Sequence, residues 1–136
     1  MAIGTIVESI FGDTGSIRTL KFVCTAASSD GSFPSHALAN LNIEGTLLQI
    51  ETNPGSPAPA DNYDIYLNTA DGIDLLQGCG VNRDTSNSEC AAIVFGTNYK
   101  RSAIDDSDVL TLVVSGSTVN SAKTEIKIKY ALGAIS

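Results

Sequence analysis

The segment KTEIKIKY, residues 123–130, alternates apolar and polar side chains with a period of two. Its two isoleucines and Tyr130 fall on one side of the alternation, and Lys127 and Lys129 fall on the other. Successive side chains of a β-strand point to opposite faces of its sheet. The segment therefore predicts a strand with one buried face and one solvated face.

The same alternation, or a short apolar run, recurs along the chain. Further strands are predicted at Leu20–Cys24, Thr46–Thr52, Tyr63–Asn68, Cys90–Phe95 and Leu110–Val114, with Ile3–Ile10 as an additional strand or an arm. Val109 and Val113 make the second face of the Leu110–Val114 segment apolar too. That strand is therefore expected at the centre of a sheet, or with its outer face against another chain.

Turn-forming residues separate these segments. Three prolines within Asn53–Pro59 fix φ and remove backbone donors, and Asp71-Gly72 favours a tight turn. A helical period of 3.6 is not found over any long segment. Seven or eight short antiparallel strands predict one all-β domain over residues 1–136, a β-sandwich or a jelly-roll-like barrel, with residues 1–11 as an N-terminal arm or edge strand.

Composition narrows the class of protein. A chain of 136 residues buries roughly two-thirds of its unfolded surface, which suffices for a core without disulfides or metals. The net charge of −7 repels phosphate backbones, so nucleic acid is not expected as a partner. The sequence contains no apolar run that could span a membrane, and its start has no basic region typical of a signal peptide.

The three cysteines, Cys24, Cys79 and Cys90, are odd in number and lack C-x-x-C spacing, which argues against a zinc site. We expect reduced, mostly buried thiols, as is usual for cytosolic synthesis. A bond between Cys79 and Cys90 stays open at this stage, because spacing does not give the distance between them.

No complete catalytic site is evident. His36 is the only histidine, and it lies in a segment, Phe33–His36, that resembles a surface loop. Nucleophilic catalysis needs a base that is itself oriented by a third group, and none is indicated. The chain is therefore expected not to be an enzyme and to need no cofactor.

Four carboxylates, Asp61, Asp64, Asp71 and Asp74, cluster in the sequence. Such oxygens suit calcium, but the spacing of a calcium-binding helix–loop–helix is absent. The preferred interpretation is structural: Asp64 and Asp74 accept hydrogen bonds from loop backbone. No metal site is assigned.

Gly78-Cys79-Gly80 has a weak likeness to a phosphate-binding loop, without the lysine that such a loop requires.

One part of the chain is more distinctive than its composition. Residues 54–65 (PGSPAPADNYDI), then 71–76 (DGIDLL) and 78–84 (GCGVNRD), resemble small virion-associated proteins of tailed bacteriophages. Members of that group carry a PGS-x-AP-x-DNYD segment followed by DG-x-D-L-L and a glycine-rich stretch. The terminal strands are also similar, so the likeness covers nearly the whole chain, although Cys79 stands where a small residue is usual.

The resemblance implies a structural protein of the phage particle, of either the capsid or the tail. We expect the chain to be synthesised in the host cytoplasm and to lie on the capsid surface, where a small β-protein can bridge neighbouring capsomers. The leading hypothesis is a decoration or cement protein that binds the major capsid protein and copies of itself, as a dimer or trimer. A tail, collar or fibre-associated role and a glycan-binding host-attachment module are the alternatives. Candidate partner-binding residues are Ile3, Ile6, Val7, Ile10, Lys127 and Lys129.

Overall fold

The computed structural model describes residues 4–11, 16–38, 45–93, 103–104 and 110–131. These residues form strands joined by turns and loops, and none of them is helical. In chain order the strands are β1 Thr5–Phe11, β2 Ile17–Thr25, β3 His36–Ala37, β4 Gly45–Pro54, β5 Asp64–Asn68, β6 Glu89–Ala92, β7 Ala103–Ile104, β8 Thr111–Ser115 and β9 Lys123–Ala131. The all-β fold predicted from the alternation is confirmed.

The strands form two antiparallel sheets, which do not close into a barrel. Sheet A has the order β1-β2-β9-β4-β6, with β7 also paired to β4. Sheet B has the order β3-β8-β5. Of the two architectures expected, this arrangement is consistent with the β-sandwich.

Strand β9 is the centre of sheet A. It pairs with β2 along its whole length, from Ile17 opposite Ala131 to Thr25 opposite Lys123, and with β4 on its other side. Its inward residues, from Thr124 to Tyr130, are at most 2% exposed, while the lysines between them face outward. The two faces predicted for residues 123–130 are confirmed.

The core lies between the two sheets. Sheet A contributes Leu20, Phe22, Cys24, Leu47, Ile50, Ile126, Ile128 and Tyr130, and sheet B contributes Ile65, Leu67, Leu112 and Val114. Full burial of one such aliphatic side chain is worth about 1.5–3 kcal/mol. The cluster is thus the main source of folding free energy, and it needs no cross-link.

In two strands the apolar residues of the sequence do not simply alternate with polar ones, for different reasons. Strand β8 lies between β3 and β5, so the central position expected from Val109 and Val113 is confirmed, although Val109 itself lies outside the described residues. Strand β4 shifts register between Leu47 and Gln49, which is a β-bulge. Because of this extra residue, Leu47 and Ile50 both face the core although three positions separate them.

A buried hydrogen bond connects the two sheets at the start of β5. Tyr63 is fully buried, and its hydroxyl lies 2.9 Å from the Thr124 hydroxyl on β9. Burial raises the pKa of the Tyr63 phenol above its usual value. The bond satisfies two hydroxyl groups that are costly to bury alone.

Candidate interaction surface

The outer face of sheet A exposes a cluster of large apolar side chains. Val7, Phe11, Ile17 and Val23 are 61%, 51%, 47% and 44% exposed, and we call these four residues the apolar strip. Val7 and Val23 lie directly opposite each other on β1 and β2. Phe11 is opposite Thr19 and so is diagonal to Ile17, within reach of an aromatic side chain. The strip therefore consists of two apolar pairs on the outer face of β1 and β2, with Ser9 and Lys21 between them.

Lys21 crosses the middle of the strip. It lies opposite Ser9, and its ammonium sits 5.6 Å from the centre of the Phe11 ring. The same ammonium is 3.5 Å from a carboxylate oxygen of Glu125 on β9. The Lys21 ammonium thus makes a cation–π contact with the Phe11 ring and an ion pair with Glu125 at the same time.

Beside the strip, the outer face carries alternating charges. Lys127 lies 3.5 Å from Glu125, and Lys129 lies 3.2 Å from Glu51 on β4. Such ion pairs near the surface contribute little to the stability of the fold. Their main effect is on which partner surfaces can bind to this face. Open depressions of about 370 and 380 Å³ lie among these side chains.

The expected partner-binding residues divide between the two faces. Val7, Lys127 and Lys129 lie on the outer face of sheet A, where a partner can reach them. Ile6 and Ile10 are partly buried and pack against the core, so the alternation of β1 separates them from Val7. Thr5–Phe11 is an edge strand paired with β2 along its whole length, and Ile3 lies outside the described residues.

Sequence reasoning missed most of the strip. Phe11, Ile17 and Val23 were not singled out, although Val23 stands between two residues predicted to face the core, Phe22 and Cys24. An apolar residue at the outward position of a half-buried strand is the signal that would have found it.

The interpretation of His36 as a surface-loop residue is wrong. His36 begins β3, and its Nε2 lies 2.8 Å from a carboxylate oxygen of Glu8 on β1, whose side chain is only 3% exposed. Its ring also meets Phe22 edge-on, at 6.0 Å between centres. The pair joins the edge strand of sheet A to sheet B, and it is a structural contact beneath the strip.

Asp64 and Asp74 have the structural role expected of them, as acceptors of hydrogen bonds from loop backbone. One oxygen of Asp74 accepts from the backbone N–H groups of Leu67 and Leu76, both at 3.0 Å, and the other accepts from Gly78 at 3.1 Å. Asp64 accepts from the Asn82 backbone at 2.9 Å. Both carboxylates therefore fasten the loop that follows β5.

The glycine-rich motif is explained by close packing. A Cβ added at Gly80 would collide with the carbonyl oxygen of Ile65, and the Gly80 carbonyl accepts the Ile65 N–H at 2.9 Å. Gly78 has a positive φ of 81°, a conformation that favours glycine. The motif lets residues 78–83 lie against β5, and this packing accounts for it without a phosphate.

The three thiols have different environments. Cys24 is fully buried, and burial raises the pKa of its thiol to about 12. Cys79 is half-buried and lies 3.2 Å from the Ala92 carbonyl. Cys90 is exposed on β6, contrary to the expectation of buried thiols, and all three are free. Cys79 and Cys90 are thus not bonded to each other.

Among the residues that the structure describes, no group of three or more His, Cys, Asp or Glu side chains is placed to hold a metal ion. The same part of the chain contains no helix long and apolar enough to cross a membrane. A scan of protein-family models finds no match to this chain, and comparisons with curated proteins and with solved structures find none either.

Proposed function

We propose that this chain is a non-catalytic structural protein of a tailed-bacteriophage particle, acting as a decoration or cement protein on the outside of the capsid. The observation that carries the proposal is the apolar strip, because several large apolar side chains exposed together on one face of a sheet mark a surface that a partner covers. The resemblance of residues 54–84 to virion-associated proteins of tailed bacteriophages supports a phage particle as the assembly in which the chain works.

The physical properties of the domain suit such a role. A sandwich with a buried core and two hydrogen-bonded sheets deforms little under load, which a protein that bridges capsid subunits requires. The net charge of −7 keeps the free chain soluble before assembly. The partners in this proposal are the major capsid protein and further copies of the chain, and the chain binds no nucleic acid or membrane.

The first experiment is to measure the copy number of this chain in purified particles, relative to the major capsid protein, by quantitative mass spectrometry. A ratio of the same order as the capsid protein is expected. A trace ratio would refute the cement role and favour a tail or collar position, and absence from the particles would refute the virion assignment altogether.

A further inference from the structure

We propose that the apolar strip of one copy binds a loop tip of a second copy of the same chain. The loop tip is residues 70–73 (ADGI), directly after β5, and all four residues are exposed. Ile73 is 56% exposed, and among the described residues it is the only large exposed apolar side chain outside the strip. The two features together account for every such side chain in that part of the molecule.

The loop tip is held in a fixed shape. The Thr69 N–H donates to the Ile73 carbonyl at 2.9 Å, and the Gly72 N–H donates to the Thr69 carbonyl at 2.9 Å. Gly72 has a positive φ of 84°, and a Cβ built there would meet nothing within 4 Å. The tip therefore projects freely, and docking it costs little conformational entropy.

Charge at the two surfaces is complementary. On the described part of the outer face, Lys21, Lys123, Lys127 and Lys129 outnumber Glu51 and Glu125, although the chain as a whole carries −7. The tip presents the carboxylate of Asp71 beside Ile73. An apolar side chain next to an anion fits an apolar strip crossed by the Lys21 ammonium.

The placement of the two surfaces makes the contact intermolecular. The loop tip follows β5 of sheet B, whereas the strip faces away from sheet B on the far side of the core. A chain cannot cover its own strip with its own tip. Each copy thus offers one tip and one strip, and such a contact forms a closed ring or an open chain of copies.

This inference depends on the proposed function only in that the chain works in an assembly. Self-association is measured on the isolated protein, whereas the cement role is measured by copy number in particles. A protein that does not self-associate would therefore overturn only this inference, and a trace copy number in particles would overturn only the cement role.

The test is sedimentation velocity and native mass spectrometry of the full chain over a wide range of concentrations. Ile73→Asp removes the tip contact, and Val7→Glu removes part of the strip. Thr5→Glu is the matched control, because Thr5 is exposed on the same face of the same strand but outside the strip. Circular dichroism and the melting temperature check that each variant folds.

Wild type and Thr5→Glu are expected to associate with rising concentration, and each interface variant is expected to associate about tenfold more weakly or worse. An equimolar mixture of the two interface variants should form a two-copy complex, because the Val7→Glu copy supplies an intact tip and the Ile73→Asp copy an intact strip. Three results would each overturn the proposal: a wild type that stays monomeric, an Ile73→Asp variant that associates as wild type does, or a mixture that stays monomeric.

Discussion

The carboxylate of Asp74 offers a quantitative test of the structural role assigned to the aspartate cluster. It accepts three backbone N–H bonds, from Leu67, Leu76 and Gly78, at 3.0–3.1 Å. A hydrogen bond to a charged group contributes about 1.5–3 kcal/mol. Asp74→Asn removes the charge and turns an amide N–H₂ toward the Gly78 N–H, so one bond is lost and two are weakened. We expect the free energy of unfolding to fall by about 2–3 kcal/mol and the melting temperature to fall by roughly 10 °C.

Urea unfolding followed by circular dichroism measures this change. Asp71→Asn is the matched control, since Asp71 lies exposed in the same loop and should cost less than about 0.5 kcal/mol. The measurement is repeated with added calcium and with a chelator, and neither is expected to move the unfolding midpoint of the wild type. Equal midpoints for the two variants would refute the role given to Asp74, and a midpoint raised by calcium would revive the metal-site alternative.

Two further predictions concern packing and pH. Gly80→Ala should lower the free energy of unfolding by about 2–4 kcal/mol, because the added methyl group meets the Ile65 backbone. Gly78→Ala should lower it by only about 1–2 kcal/mol, the cost of its positive φ. Urea unfolding that shows the larger loss for Gly78→Ala would contradict the packing at Gly80. The free energy of unfolding should decrease as the pH rises above about 9. Burial raises the pKa of Cys24 from 9.0 to about 12 and raises the pKa values of Tyr63 and Tyr130 above 10.0. The unfolded chain therefore releases these protons at a lower pH than the folded chain does, which favours unfolding. Urea-unfolding midpoints measured between neutral and alkaline pH give the dependence of stability on pH. Cys24→Ala should make this dependence weaker, and a wild-type midpoint that does not change with pH would disprove the prediction.

The parts of the fold that follow from local pattern could be predicted from the sequence. The alternation in residues 123–130 fixed β9, and the doubly apolar segment around Val113 placed β8 at the centre of its sheet. The backbone contacts of Asp64 and Asp74 also followed from the preference of aspartate for turns. Each of these depends on residues close together in the chain.

What could not be predicted depends on residues far apart in the chain. The sequence around His36 does not show that Glu8, 28 positions earlier, is its hydrogen-bond partner. His36 was therefore predicted to be a surface residue, although it is half-buried and structural. The need for glycine at position 80 arises only because Ile65 lies against it. The candidate surface was recovered in part: Val7 and the lysines face outward, but Ile6 and Ile10 were grouped with Val7 although the period of two places them on opposite faces.

The position of β9 has a consequence for synthesis. Among the described strands it comes last in chain order, and it is the strand that joins β2 to β4 in sheet A. While the ribosome is still adding the residues before Lys123, β2 and β4 have no common neighbour, and their apolar faces have no completed sheet to belong to. Sheet A can therefore form its full hydrogen-bonded order only after Lys123–Ala131 has been synthesised, and the edges of β2 and β4 that pair with β9 stay unpaired until then.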